Sequence, residues 1–308
     1  MDATASIRNL HPLDRGIPGR IMNPIIRKYQ EGKRIMKKQI GLMAMGLGLT
    51  MMVAASSAMA GNIVIKGSTT VLPIAQEVAE AYMKENPETK ITISGGGSGD
   101  GIKAIIDGTT DVGNSSRFIK DKEVASALEK GAYPVPFGIA YDCIIPVVHP
   151  SNTATDLTMA QLKDIYQGRI RNWQEVGGPD KEIVVISRDT SSGTYEVWEE
   201  KVMKKERVYP GALLQASNGA VVTGVSKNPH AVGYIGIGYL NDQVKALTVD
   251  GVPGTKETTL NGRFPVSRAL FMFTRGWPTG EAAKFLNYVM HPEKGQKFVE
   301  KSGYVPLY

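Results

Sequence analysis

The chain has 308 residues, 42% of them hydrophobic and 21% charged, which is typical of a folded protein with one large or two medium domains and not of a disordered chain. The formal net charge of +6 comes from the N-terminus, because residues 1–60 hold nine of the 36 Lys and Arg but only three of the 30 Asp and Glu, leaving 27 of each in the remainder. A neutral body lacks the basic surface that binds nucleic acid, so we expect no nucleic-acid partner.

Residues 1–60 have the features of an export signal. A basic start at residues 36–38 precedes an apolar stretch at 40–55, and Ala58-Met59-Ala60 closes the segment. This three-part pattern predicts a secretory signal peptide that is cleaved after Ala60, with a membrane-anchoring helix as the alternative. Residues 1–35 show no clear structural pattern, so Met36 is a candidate start of translation, and a long N-terminal region before the signal is the other interpretation.

Cysteine content bears on where the exported protein stays. The chain has one cysteine, Cys143, which cannot form an intramolecular disulfide. No cysteine stands directly after the predicted cleavage site, so the usual attachment point of a lipid anchor is missing, and no other segment is long and apolar enough to span a bilayer. We therefore expect the mature protein, residues 61–308, to be free in the periplasm, and we expect it to be a monomer.

The first half of the mature chain alternates strands with helices. A strand at residues 63–65 precedes a helix that Asn86-Pro87 ends, and a strand at 91–93 precedes a second helix. The apolar residues of these two helices recur at helical spacing: Leu72, Ala75, Val78, Ala79 and Tyr82 in the first, and Ile102, Ile105 and Ile106 in the second.

The second half continues the alternation. Strands are predicted at residues 139–148 and 183–187 and from Val232, with a helix around residues 162–166 and another that runs through Trp198. The last forty residues are predicted to form two helices, broken at residues 291–292. Alternating strands and helices predict an α/β fold with mostly parallel sheets.

Three segments share one design, in which a predicted strand runs into a turn of Gly, Ser and Thr and then into a helix. They are Gly67-Ser68-Thr69-Thr70, Gly97-Ser98-Gly99 and Ser191-Ser192-Gly193-Thr194. The first N–H groups of a helix have no acceptor within the helix and bear partial positive charge, so such a turn can bind an anion. One such turn alone is explained as well by helix capping, but three of them in one chain indicate an anion site.

Two arginines accompany these turns. Arg188 immediately precedes the third turn, and Arg117 follows Ser115-Ser116 after a predicted strand. A guanidinium can hold an oxyanion through two parallel hydrogen bonds, so the pair is predicted to clamp the ligand. Either arginine alone would be better explained as a surface residue or as a member of an ion pair.

Motifs of other functions fail on inspection. Ile102 stands where a phosphate-binding P-loop requires Lys, and Asp100 stands where the nucleophile elbow of a hydrolase requires its last Gly. The four His residues are scattered and show no metal-ligand spacing. We therefore predict no catalytic residues, no metal and no cofactor.

Taken together, these motifs resemble the substrate-binding proteins of phosphate ABC transporters, of the PstS type, which have the type II periplasmic-binding-protein fold. The resemblance covers nearly the whole mature chain. Beyond the three turns, it is seen in Asp-Val-Gly-Asn-Ser-Ser-Arg at 111–117, Ala-Tyr-Asp at 140–142, Gly-Tyr-Ile-Gly at 233–236 and Gly-Tyr-Val-Pro-Leu at 303–307.

The resemblance implies two lobes, residues 61–137 with 234–308 and residues 138–233, each a mixed, mostly parallel sheet flanked by helices. A hinge would close them around inorganic phosphate, which the protein would deliver to the membrane permease subunits of an ABC importer. The ligand would contact Thr69, Thr70, Ser98, Ser116 and Arg117 of the first lobe and Arg188, Ser191, Ser192, Gly193 and Thr194 of the second.

The chain departs from the family pattern at Ser116, where the best-known members have an aspartate that accepts a hydrogen bond from the proton that phosphate keeps near neutral pH. Such an acceptor rejects sulfate, which has no proton to donate. We predict that Asp142 supplies the acceptor, with Asp100 and Asp189 as the next choices. An ion pair of Asp142 with Arg117 or Arg188 is the alternative, and both roles could hold together.

Other functions stay open at this point. The missing carboxylate at Ser116 keeps sulfate, molybdate and tungstate as candidate ligands. A secreted phosphatase would require an activated nucleophile or a metal cluster, and an adhesion or sensory role could be built on the same fold.

Overall fold

The computed structural model describes residues 61–308. The predicted signal peptide, its cleavage site and the candidate start at Met36 lie outside or at the edge of the described residues. Within residues 61–308, no helix combines the length and the apolar character that crossing a membrane requires.

Strands and helices alternate as predicted through the first half of the described chain. The apolar face of α1 packs inward through Ile74, Ala75, Val78 and Tyr82, and the helix ends at Asn86 before the proline. The elements are β1 (Asn62–Ser68), α1 (Leu72–Glu85), β2 (Lys90–Gly96), α2 (Ser98–Asp107), β3 (Val112–Ser115) and α3 (Asp121–Glu129).

The second half contains longer strands and several short elements. They are β4 (Val135–Val148), β5 (Asp156–Leu157), α4 (Met159–Tyr166), β6 (Val184–Arg188), α5 (Gly193–Lys201), β7 (Leu213–Gln215), α6 (Asn218–Ser226), β8 (Ala231–Gly236), β9 (Lys245–Ala246), β10 (Thr248–Val249), α7 (Lys256–Leu260), β11 (Ser267–Thr274), α8 (Gly280–Met290) and α9 (Gly295–Lys301), with 3-10 turns at Trp173–Val176 and Ile237–Tyr239.

One sheet of nine strands has the order β2-β1-β3-β11-β4-β8-β6-β7, with β9 beside β4. Strand β1 runs parallel to β2 and β3, and β6 runs parallel to β7 and β8, whereas β11 and β4 are antiparallel to their neighbours. The long strand β4 pairs with β11 through residues 135–143 and with β8 through residues 144–148. The predicted α/β fold with a mostly parallel sheet is confirmed.

Strand β11 is a correction to the sequence analysis, which assigned the last forty residues to two helices. The two helices α8 and α9 are present, with His291 between them, but Ser267–Thr274 precedes them as a strand. The buried residues Arg268, Leu270 and Met272 alternate with less buried ones, which is the two-residue period of a strand.

Three clusters of buried apolar residues support the sheet. The largest contains the later part of β4 with β6, β8, α4, α5 and α6, and in it the rings of Trp198 and Tyr234 stack at 4.3 Å. The second gathers β1, α1, β11 and α8, and the third joins Ile106 of α2 to Ala127 of α3. The division into two lobes at residues 137 and 233 stays a prediction.

Candidate anion-binding site

The three predicted turns follow the carboxyl ends of strands β1, β2 and β6 and precede helices α1, α2 and α5. Helix α5 is capped by Ser192, whose hydroxyl accepts from the Tyr195 N–H at 3.2 Å. Helix α2 begins after Gly97, and Val71 precedes α1 without a side-chain cap. Because the first N–H groups of a helix have no acceptor within it, these three ends present donors where the turns meet.

The turns are in direct contact with one another. Thr70 Oγ1 lies 2.9 Å from Thr194 Oγ1, and Ser98 Oγ lies 3.2 Å from Ser116 Oγ. A Cβ atom at Gly193 would lie 2.3 Å from Ser98 Oγ and 2.8 Å from Ser116 Oγ, so only glycine permits this approach. The structure therefore brings together five of the predicted residues, all of them buried.

The hydroxyls of Thr70, Ser98, Ser116 and Thr194 form what we call the hydroxyl cluster. Three further predicted residues lie in the turns around it. Thr69 Oγ1 accepts from Asn218 Nδ2 at 3.2 Å, and the Ser191 hydroxyl donates to Asp189 Oδ1 at 2.6 Å. The Ser191 carbonyl accepts from the Gly99 N–H at 3.0 Å, which ties the second turn to the third. Ser192 contributes as the helix cap described above.

Arg188 is a buried cation beside the hydroxyl cluster. Its Nε and Nη2 donate to the carbonyls of Gln215 and Ala216, each at 3.0 Å, and Asp189 Oδ2 lies 3.8 Å from Nη2. Its Nη1 has no hydrogen-bond partner among the described residues. Burial lowers the pKa of Arg188 from its ordinary value, but an arginine stays cationic in proteins. The side chain therefore has both charge and donors to offer an anion.

Arg117, predicted as the second clamp, is bound by carboxylates instead. Its Nη1 and Nη2 donate to Glu123 at 2.8 and 2.7 Å, and its Nε pairs with Glu196 of α5. Lys120 Nζ also lies 2.5 Å from Glu196. Burial acts to raise the pKa of Glu123, but hydrogen bonds from Arg117 and the Lys120 N–H outweigh it and hold that pKa below its ordinary value. Among the described residues, the Arg117 guanidinium makes no hydrogen bond to the hydroxyls of Thr70, Ser98, Ser116 or Thr194, and its role toward the ligand stays a prediction.

Asp142 forms an ion pair, but with neither predicted arginine. Its Oδ2 accepts from Arg268 Nε at 2.8 Å and Nη2 at 2.6 Å, and its Oδ1 accepts from the Ile237 N–H at 2.9 Å. The predicted pairing with Arg117 or Arg188 is wrong, because Arg268 lies directly opposite Asp142 in the antiparallel register of β11 and β4. Burial raises the pKa of the Asp142 carboxyl, and the Arg268 guanidinium opposes that shift.

Arg268 and Asn218 are site residues that the sequence analysis missed. Arg268 Nη2 lies 3.0 Å from Thr194 Oγ1 and 3.3 Å from Thr70 Oγ1, and its Nη1 has no partner among residues 61–308. Asn218 Nδ2 donates to Thr70 Oγ1 at 3.1 Å. The available signals were the apolar run at residues 269–273, which favours a strand beginning near Arg268, and the Ser-Asn helix start at residues 217–218.

A cavity of about 650 Å³ opens beside the site. The residues that line it include Ser191, the cations Arg117, Lys120, Arg188 and Arg207, and the carboxylates Glu123 and Glu196. The described part of the chain contains no group of three His, Cys, Asp or Glu residues that could hold a metal ion. The arrangement is therefore one of neutral hydroxyl donors, helix N-termini and arginines, which suits a small oxyanion.

A family model described as the PBP superfamily domain matches residues 52–293. Among curated proteins, the phosphate-binding protein PstS of Bacillus subtilis is 32% identical over 248 residues, covering 80% of this chain and 81% of its own length. PstS of Borreliella burgdorferi is 32% identical over 255 residues, covering 79% of this chain and 89% of its own. The chain belongs to the PstS family. The predicted resemblance is thereby confirmed.

Solved structures agree with membership of the PstS family. A protein from Clostridium perfringens, described as a phosphate ABC transporter substrate-binding protein with bound phosphate, is 36% identical. It aligns with a TM-score of 0.75 over 80% of this chain and 100% of its own. An ABC-type phosphate transport receptor from Vibrio cholerae is 32% identical, with a TM-score of 0.65 over 79% of this chain and 99% of its own.

Proposed function

We propose that this protein captures inorganic phosphate at the hydroxyl cluster and delivers it to the permease subunits of an ABC importer. The observation that carries the proposal is the convergence of three strand-to-helix turns on one another, close to Arg188 and Arg268, each of which has an N–H group without a partner in the described part of the chain. Phosphate has four oxygens that require donors, and hydroxyls, helix N-termini and guanidinium groups supply them. The names of the relatives and the bound phosphate in the Clostridium perfringens structure support the same ligand.

We further propose that the ligand enters by opening of a hinge. Thr70 and Ser98 belong to the predicted first lobe, and Gly193 and Thr194 belong to the predicted second lobe. These residues are buried and touch one another across the two segments, so an anion can reach them only if the segments separate. Closure then surrounds the anion and excludes water.

We propose that the protein works in the periplasm after removal of the signal peptide, without a lipid anchor, as a monomer and without catalysis. The basic and apolar segments of residues 36–60 support export. The relatives are named as binding proteins, which supports a receptor over an enzyme. N-terminal sequencing of the protein recovered from a periplasmic extract tests the cleavage after Ala60.

A second candidate ligand is sulfate, and the environment of Asp142 favours it. The Asp142 carboxylate accepts from Arg268 Nε and Nη2 and from the N–H group of Ile237. Three donors occupy most of the roughly four acceptor positions of a carboxylate, so little remains for a phosphate proton. The Ser116 hydroxyl can donate to sulfate as well as accept from phosphate.

Calorimetry tests these alternatives. The purified protein, freed of ligand by dialysis under denaturing conditions and refolded, is titrated with phosphate and then with sulfate. We expect phosphate to bind with a micromolar or lower Kd and sulfate to bind more weakly. Binding of sulfate alone, or of neither anion, contradicts the proposal, and turnover of a chromogenic phosphate ester would contradict its non-enzymatic part.

A further inference from the structure

Two side chains, Asn218 and Arg268, can act only as donors toward the hydroxyls of Thr70 and Thr194. The donor role of Asn218 follows from its other hydrogen bond. This side chain is fully buried, and its Oδ1 accepts from the Gly236 N–H at 3.2 Å. A backbone N–H can only donate, so the carbonyl side of the amide faces Gly236 and the Nδ2 side faces the threonines. Asn218 is therefore a donor to Thr70 Oγ1, at 3.1 Å.

Arg268 is the second fixed donor. A guanidinium has no acceptor atoms, so its contacts with Thr194 Oγ1 at 3.0 Å and Thr70 Oγ1 at 3.3 Å both place the hydroxyl oxygens as acceptors. The ion pair with Asp142 holds the guanidinium in this position through two hydrogen bonds.

These two donors determine where the hydroxyl protons point. A hydroxyl oxygen has two lone pairs and one proton. Both lone pairs of Thr70 are taken, by Asn218 and Arg268, so its proton points to Thr194 Oγ1 at 2.9 Å. Thr194 then accepts from Thr70 and Arg268, and its own proton must be donated to another group.

The Thr194 proton has no protein acceptor among residues 61–308. A buried donor without an acceptor is unfavourable, and Thr194 lies in the first turn of α5, where an anion is favoured. Resting on the phosphate-binding function, we propose that Arg268 and Asn218 are positioning residues that force the Thr194 hydroxyl to donate to the bound oxyanion. When no ligand is bound, the Thr194 proton has no acceptor among the described residues; an oxygen of the bound anion would supply one.

A double-mutant cycle on phosphate affinity tests the proposal. Arg268→Lys keeps a cation facing Asp142 but lacks the guanidinium geometry in which Nη2 donates to both threonines while Nε and Nη2 bind Asp142, and Thr194→Val removes the hydroxyl while keeping the shape of the side chain. Each single variant is expected to weaken phosphate binding about tenfold. The double variant is expected to be weakened about tenfold as well, because Arg268 acts through the Thr194 hydroxyl.

A double variant weakened about a hundredfold, the product of the two single effects, overturns the proposal. Thr110→Val is the matched control, since the buried Thr110 hydroxyl donates to the Val64 carbonyl at 2.6 Å, away from the threonine pair. The Thr110→Val variant is expected to leave phosphate affinity unchanged. Added to Arg268→Lys, it is expected to cause no further change in affinity. If the wild-type protein binds no phosphate, the proposed function itself fails; if it binds and the cycle is additive, only this inference fails.

A second variant keeps the test decisive if Arg268→Lys does not fold. Combining Asp142→Asn with Arg268→Gln removes both charges, so that no uncompensated buried charge remains. The same non-additivity with Thr194→Val is expected in this background. Denaturant unfolding of every variant, with and without phosphate, separates a loss of folding from a loss of binding.

Discussion

Arg188 and Arg117 are both buried arginines that follow strand ends near the same hydroxyl turns, but their charges are available to different degrees. Arg188 donates to two neutral carbonyls, its nearest carboxylate oxygen, Asp189 Oδ2, lies 3.8 Å away, and its Nη1 has no hydrogen-bond partner among residues 61–308. Arg117 is paired with the carboxylates of Glu123 and Glu196. The first arginine therefore retains its positive charge for a ligand, and the second has its charge neutralised within the protein.

The difference shows that an anion-binding arginine is recognised by the groups that surround it. Backbone carbonyls orient a guanidinium without cancelling its net charge, whereas each carboxylate neutralises one unit of charge. The Arg117 network has a different use: Glu196 lies on α5, next to the third turn, and joins that helix to Arg117 and Lys120. It holds together segments that meet at the site.

The largest expected effect is a loss of phosphate affinity on substitution of Arg188, and it tests the difference between the two arginines directly. Arg188→Gln is expected to weaken phosphate binding by about a hundredfold or more, because charge-assisted hydrogen bonds of about 1.5–3 kcal/mol are lost with the cation. Arg117→Gln is expected to weaken binding less than about tenfold and to lower the free energy of unfolding by about 3 kcal/mol, since Glu123 and Glu196 lose their partner. Calorimetry and urea unfolding measure both quantities. An equal loss of phosphate affinity in the two variants would contradict the claim that only Arg188 offers its charge to the ligand.

Asp142→Asn is expected to have the next largest effect. The variant leaves Arg268 as an unpaired buried cation, so we expect the free energy of unfolding to fall by about 3 kcal/mol. Phosphate and sulfate affinities are expected to fall by the same factor of about ten, because the change acts through Arg268. A loss confined to phosphate would instead support the acceptor role that the sequence predicts for Asp142.

Glu196→Gln is expected to loosen the contact between segments. Release of phosphate, followed by stopped-flow competition, is expected to be about three to ten times faster with an association rate changed less than about twofold, because the proposed hinge opening would separate Glu196 from Arg117. Glu123→Gln is the matched control: Glu123 also binds Arg117 but lies on α3, close to it in sequence. Equal acceleration in both variants would mean that Glu196 has no special role in closure.

The smallest effect is expected for Ser191→Ala. The Ser191 hydroxyl is engaged by Asp189, and the carbonyl that binds the Gly99 N–H is unaffected by the substitution. Phosphate affinity is therefore expected to change less than about twofold. A tenfold loss in calorimetry would return Ser191 to the set of ligand residues that its motif predicts.

Local pattern is enough to predict the strand-to-helix turns. Apolar periodicity places β1, β2 and β6 before helices, and the carboxyl ends of parallel strands meet at one edge of a sheet. Thr70, Ser98 and Thr194 could therefore be assigned to one site from the sequence alone. Their individual roles toward the ligand remain predictions.

The partners of the charged residues could not be predicted, because they depend on register and on segments far apart in the chain. Arg268 meets Asp142 only through the pairing of β11 with β4 across 126 residues. Glu196 lies on α5 and contacts Arg117, which follows β3 much earlier in the chain. A single sequence does not encode these pairings in any local pattern, so Arg117 was indistinguishable from Arg188.

The measurement that tests the central claim most directly is the position of a bound oxyanion. Crystals grown with arsenate, a tetrahedral analogue of phosphate, allow the arsenic atom to be located by anomalous scattering. We expect one peak among Thr70, Ser98 and Thr194, with arsenate oxygens within hydrogen-bond distance of Arg188 Nη1 and Thr194 Oγ1. A peak beside Arg117 and Lys120 instead, or no bound arsenate at concentrations that saturate binding in solution, would contradict the account.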